Sequence, residues 1–107
     1  MFRLPLATSL VLCSPAFAEI VRFDVEAHCN EIAGAGGTYS SEMYNFCVRQ
    51  EQTAYNSLKA RWDAISSNVR AHCTQVASFG GPGSYEMLSF CVEQEEQAAA
   101  SKPTFKY

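Results

Sequence analysis

The chain has 107 residues, 48% hydrophobic, with 8 Lys+Arg against 11 Asp+Glu. That length allows one small domain. The acidic balance lacks the basic face with which proteins hold nucleic acid or an anionic membrane surface, so neither is an expected partner.

Residues 1–18 carry the marks of an export signal. Arg3 is a positive start, Leu4 to Leu12 a short apolar stretch, and Ala16-Phe17-Ala18 an A-x-A cleavage site. The apolar stretch is too short to span a bilayer, and no later segment approaches the required length. The expectation is a mature chain from Glu19, periplasmic or secreted, with no stable membrane span after cleavage. A lipid-carrying Cys13 is the rival, but such sites want a small preceding residue and Leu12 is large. Without Arg3 the mature side chains sum to about −4.

Residues 19–107 read as a single helical domain. Glu19 to Phe23 is a lead-in. Asp24 then suits a helix N-cap, with Glu26 in the positive first turn. Val25, Cys29, Ile32 and Ala33 share one helical face, and Gly34 ends the helix. Gly36 and Gly37 are turn glycines. Ser40 or Ser41 starts a second helix with Glu42 in its first turn. Tyr44, Cys47, Val48, Glu51, Tyr55, Leu58, Trp62 and Ile65 then step by threes and fours.

Ser66-Ser67-Asn68 interrupts this stretch, and Asn68 aligns with Asp24 as a capping residue. The apolar steps nevertheless continue through Val69, Cys73 and Val76. One bent helix from Ser41 to Ala77 and two separate helices are both compatible with that pattern. Gly80, Gly81 and Pro82 make the next turn, and a last helix runs from Ser84 to about Ser101. Lys102-Pro103 stops it, leaving a short tail. No stretch alternates with period two, so the predicted fold is all-α.

A shift of 44 residues lays the chain on itself. Between 27–57 and 71–101, sixteen of thirty-one positions are identical without a gap. His28-Cys29 meets His72-Cys73, Ser40-x-Glu42-Met43 meets Ser84-x-Glu86-Met87, and Phe46-Cys47-Val48 meets Phe90-Cys91-Val92. The repeats span 24–65 and 68–101. Each holds two cysteines with seventeen residues between them. Four cysteines in a small exported chain predict disulfides, and a duplicated unit should close on itself. The pairs are then Cys29–Cys47 and Cys73–Cys91. Each pair places its cysteines at similar heights above the turn of an antiparallel hairpin. Each loop is worth about 3 kcal/mol in the chain-entropy model. Phe46 and Phe90, with Tyr44, Tyr55 and Trp62, are expected to fill the core, and Trp62 to pack the repeats together.

Chemistry-bearing residues are few. His28, Met43, His72 and Met87 recur at matching places and are acceptable copper ligands, although no tight metal spacing such as H-x3-H accompanies them. The structural reading is preferred: histidine beside a buried cysteine, and methionine as gap filler. Zinc and thiol-exchange motifs are missing, as C-x-x-C does not occur. Glu51 and Glu95 recur one turn after a cysteine and read as a solvated face rather than an acid–base pair. The glycine turns precede helices but carry no phosphate-loop lysine. No catalytic constellation and no cofactor motif emerges, so the chain is not expected to be an enzyme.

Helical hairpins clasped by cysteine pairs resemble, in outline, the twin C-x9-C proteins of the mitochondrial intermembrane space. The spacing of seventeen, one bond per helix pair and the secretory leader differ, and nothing is carried over from that family. The pattern A-H-C…G-G-x-x-S-x-E-M…F-C-V-x-Q-E resembles small exported bacterial proteins of unassigned function that carry such units singly or in tandem. That resemblance covers both repeats and implies a clasped hairpin, but no activity. The expected function is a binding or structural module whose partner is another protein, as an inhibitor or accessory subunit. The alternative is a periplasmic copper-binding protein using His28, Met43, His72 and Met87.

Overall fold

Four short polar side chains set where the helices begin. In a computed structural model describing residues 19–107, Asp24 accepts from the Ala27 amide at 3.1 Å and Ser40 from Met43 at 3.2 Å. Ser66 accepts from Val69 at 3.3 Å and Ser84 from Met87 at 3.2 Å. Each satisfies an amide that has no partner within its own helix. The helices that follow are α1 (Val25–Gly34), α2 (Ser41–Arg61), α3 (Ser67–Ser78) and α4 (Tyr85–Ala100). The described residues contain no strand. The predicted export signal, with Cys13, lies outside the described residues.

The two readings of the 41–77 stretch are resolved in favour of two helices. After Arg61 the chain tightens into a single 3₁₀ turn, Trp62–Ala64. Ile65 is then extended, at φ −80° and ψ 135°. That kink turns both Trp62 and Ile65 into the interior. Ser66, not Asn68, caps α3, because the kink brings its hydroxyl over the new helix start first.

Each turn reverses direction with a glycine at positive φ: Gly37 at 89° in the first repeat, Gly80 at 73° and Gly83 at 95° in the second. The paired helices lie antiparallel, and a disulfide crosses each pair. Cys29 bonds Cys47 and Cys73 bonds Cys91, both with Cα atoms 5.5 Å apart. The hairpins then join through α2 and α4.

The core is not shared equally between the repeats. Leu58, Trp62, Ile65, Cys73, Ala77, Tyr85, Leu88, Cys91 and Val92 form one buried cluster. It belongs to the second hairpin and the end of α2. The first hairpin contributes little beyond Cys29, Ala33 and Cys47 at its own interface. The lead-in segment closes the cluster on one side. Phe23 donates its amide to the Tyr85 hydroxyl at 2.9 Å, and that hydroxyl donates to the Val21 carbonyl at 2.7 Å. The Phe23 and Tyr85 rings lie 4.9 Å apart, as do those of Tyr55 and Tyr85. No helix among the described residues is long and apolar enough to cross a membrane.

Candidate interaction surface

Glu51 is the residue whose place departs most from its reading as a solvated carboxylate. It is fully buried. A buried carboxylate is costly unless donors surround it, and here the start of α4 supplies them. Glu51 Oε1 accepts from Ser84 Oγ at 2.6 Å and from the Glu86 amide at 3.5 Å. Oε2 accepts from the Tyr85 amide at 2.5 Å. The helix dipole adds to these bonds, since the first turn of α4 is its positive end. The first repeat therefore caps the second. His28 completes the site, its Nε2 3.6 Å from Glu51 Oε1. Further along the same seam Arg61 reaches Glu96 with both guanidinium nitrogens, at 2.6 and 3.3 Å. The Arg61 hydrogen bonds hold the Glu96 carboxyl below the usual carboxylate range. Both groups are largely exposed, so the pair adds little stability.

Phe46 and Phe90 correct a second expectation: they do not fill the core. Phe46 is 57% exposed and Phe90 58%. The neighbouring methionines match as closely, Met43 and Met87 both at 49%, and so do Ile32 at 41% and Val76 at 43%. The reason is rotational. On α2 the core face runs through Cys47, Glu51 and Leu58. Met43 and Phe46 fall on a different side, three residues apart and adjacent to each other. Each hairpin thus displays an exposed Met-Phe pair, and in the first that pair lies beside Ile32 of the preceding helix.

In the first hairpin this display forms an open groove of about 480 Å³, with Ile32, Met43 and Phe46 among its apolar walls. Glu42, Glu86, Arg49 and His28 also line it. Glu86 comes from the second repeat, so the groove is shared across the joint. The second hairpin has a separate depression lined by His72, Gln75, Val76 and Phe79, into which neither Met87 nor Phe90 enters. Phe79 is 91% exposed and stands where the first repeat has Ala35.

The proposed metal-ligating residues distribute accordingly. His28 and Met43 line the same groove, whereas His72 lines the second groove without Met87. The His72 imidazole faces Glu95 at 3.6 Å, the same distance as in the His28–Glu51 pair. Among the described residues no three or more His, Cys, Asp or Glu side chains gather as a metal site.

The signal for Glu51 was present as a lone acid in an otherwise apolar helical stripe. Gly83 gave no such signal. A Cβ there would lie 2.2 Å from the Phe23 ring, so only glycine lets the lead-in pack.

The fold and surface define a class: an all-α tandem hairpin, each unit closed by its own disulfide, with one buried carboxylate as the joint. Comparison with protein-family models, curated proteins and solved structures finds no match. What the structure does bear out of the resemblance to small exported proteins is its clasped Cys-x17-Cys helical unit.

Proposed function

We propose that this chain is an exported, disulfide-stabilised binding module that holds another protein through the repeated Met-Phe surface. One observation carries the reading. Met43/Met87 and Phe46/Phe90 are identical between repeats and equally exposed. Exposed apolar side chains bring no folding benefit, and burying them against a partner recovers about 25 cal/mol per Å². Some packing residues of the inter-repeat joint differ between repeats, as with Tyr55 and Ala99, or Ser41 and Tyr85, while its polar residues recur. A duplicated unit that keeps apolar Met-Phe pairs exposed in both copies is arranged for contact outside itself. Export is supported by the leader pattern of residues 1–18 and by disulfides, which persist in oxidising compartments.

The test compares the mature chain with a Phe46→Ser, Phe90→Ser double variant, each immobilised and exposed to extract from the producing cells. Both should give the same helical spectrum, since neither residue is in the core. A protein retained by the native surface and lost from the variant supports the reading. Equal retention on both rejects it.

A second reading, a copper site, rests on His28 and Met43 sharing one groove. Copper titration of the oxidised protein decides it. Unchanged affinity in a His28→Ala, His72→Ala variant removes it.

A further inference from the structure

The joint between repeats is made from two parts, and both parts occur twice. One part is the His-Glu pair: His28 with Glu51, and His72 with Glu95, each at 3.6 Å. The other is the start of the returning helix: Ser84-Tyr85-Glu86-Met87 on α4, and Ser40-Ser41-Glu42-Met43 on α2. Among the described residues of one chain, Glu51 meets Ser84 and Glu95 has no such contact with Ser40. The Glu95 side chain is 45% exposed with His72 beside it, and Ser41 and Glu42 at the start of α2 face solvent.

The geometry of the joint is not two-fold. Glu51 meets Ser84, Tyr85 and Glu86, and Arg61 meets Glu96, so contacting residues are 33 to 35 apart in sequence. Equivalent residues are 44 apart. α4 therefore runs the same way as α2 but is slid by about ten residues, or about 15 Å at 1.5 Å per residue. A contact of that kind is heterologous, and it leaves one unused half at each end of the molecule.

We propose that the molecule associates head to tail with a second copy of itself. Glu95 of one copy accepts the Ser40 hydroxyl and the Ser41 and Glu42 amides at the start of α2 in the next. This continues the inter-repeat joint, and its donors at the start of α2 adjoin the groove of Met43 and Phe46, which Glu42 also lines. The contact between copies is weaker than the one within a chain. Where the internal joint packs Tyr55 and Leu58 against Tyr85 and Leu88, the copies offer Ala99 and Lys102 against Ser41 and Tyr44. It is therefore a reversible association at high concentration rather than a fixed filament.

Two variants break opposite halves without touching the core. Glu95→Ala removes the acceptor. Ser41→Pro removes the amide that corresponds to that of Tyr85, at a first helical position that tolerates proline. Ser40 before it is already extended, at φ −115° and ψ 112°, as a residue preceding proline should be. Sedimentation equilibrium of the mature oxidised protein up to about 1 mM, where millimolar contacts become populated, gives the readout. The native protein should show an average mass rising with concentration. Each variant alone should remain monomeric across the same range. An equimolar mixture should form dimers and stop there, since it holds one intact donor end and one intact acceptor end. A native protein that stays monomeric throughout, a Glu95→Ala variant that associates like native, or a mixture that gains no mass over its components overturns the proposal.

Discussion

Glu51 caps a helix whose own N-cap, Ser84, lies 33 residues after it. Most helix caps come from the residue just outside the helix, and Ser84 is itself such a cap for Met87. The buried carboxylate adds a second layer, drawn from the other repeat. It converts two disulfide-closed hairpins, each too small to hold a core alone, into one body.

Removing that carboxylate should cost more than an ordinary surface cap. Glu51→Ala leaves the buried Tyr85 amide and the partly buried Ser84 hydroxyl without their acceptor, a loss of about 2–3 kcal/mol. Chemical denaturation of the oxidised protein measures it. Glu51→Gln should recover part of the loss, because one amide oxygen can still accept.

Gly83→Ala combines a left-handed backbone with a clash on the Phe23 ring. We expect a loss of about 2 kcal/mol or more. Gly36→Ala, where a Cβ meets nothing within 4 Å and φ is not positive, is the control and should change little.

Tyr85 predicts an alkaline limit to stability. Burial pushes its phenol above the ordinary value, against the Phe23 amide, which favours the phenolate. A phenol raised in the folded state gives its full contribution below its unfolded pKa. That contribution is lost as pH rises through the higher folded value. Tyr85→Phe should flatten this alkaline fall while lowering stability near neutrality by about 1–2 kcal/mol through the lost bonds to Val21 and Phe23. Denaturation midpoints between pH 7 and pH 11 test both halves.

The two disulfides should differ in what they hold. Each closes a loop of similar length, worth about 3 kcal/mol in the chain-entropy model. Cys73 and Cys91 lie inside the buried cluster, while Cys29 and Cys47 lie outside it. A Cys29→Ser, Cys47→Ser variant should free α1 to exchange its amide hydrogens while α3 and α4 stay protected. A Cys73→Ser, Cys91→Ser variant should lose protection throughout.

The helix starts and the disulfide pairing were legible because both are local. Asp24, Ser40 and Ser84 cap through their own third neighbours, and a repeat of 44 residues leaves each cysteine one natural partner. Asn68 was the expected cap of the next helix, and Ser66 takes that place instead, since either side chain can cap. The extended Ile65, drawn inward with Trp62, sets the earlier start. Phe46 and Phe90 were misread because hydrophobicity says nothing about direction: the face a helix buries is fixed by the helix it meets. Phe46 was nevertheless missing from the α2 stripe of Cys47, Glu51 and Leu58, and that omission was the clue. Glu51 could be seen as an oddity in that stripe, but its donors are 33 residues away and belong to a turn whose position no local rule predicts.

The most direct test of the binding surface uses a photo-reactive phenylalanine analogue placed in turn at Phe46, Phe90 and Asn56. The first two sit on the repeated apolar surface, and Asn56 is an exposed site elsewhere on α2. Irradiation of producing cells should yield the same protein adduct from positions 46 and 90 and none from 56. Adducts of equal yield from all three positions, or from position 56 alone, would contradict the assignment of the Met-Phe surface as the contact this molecule is built to make.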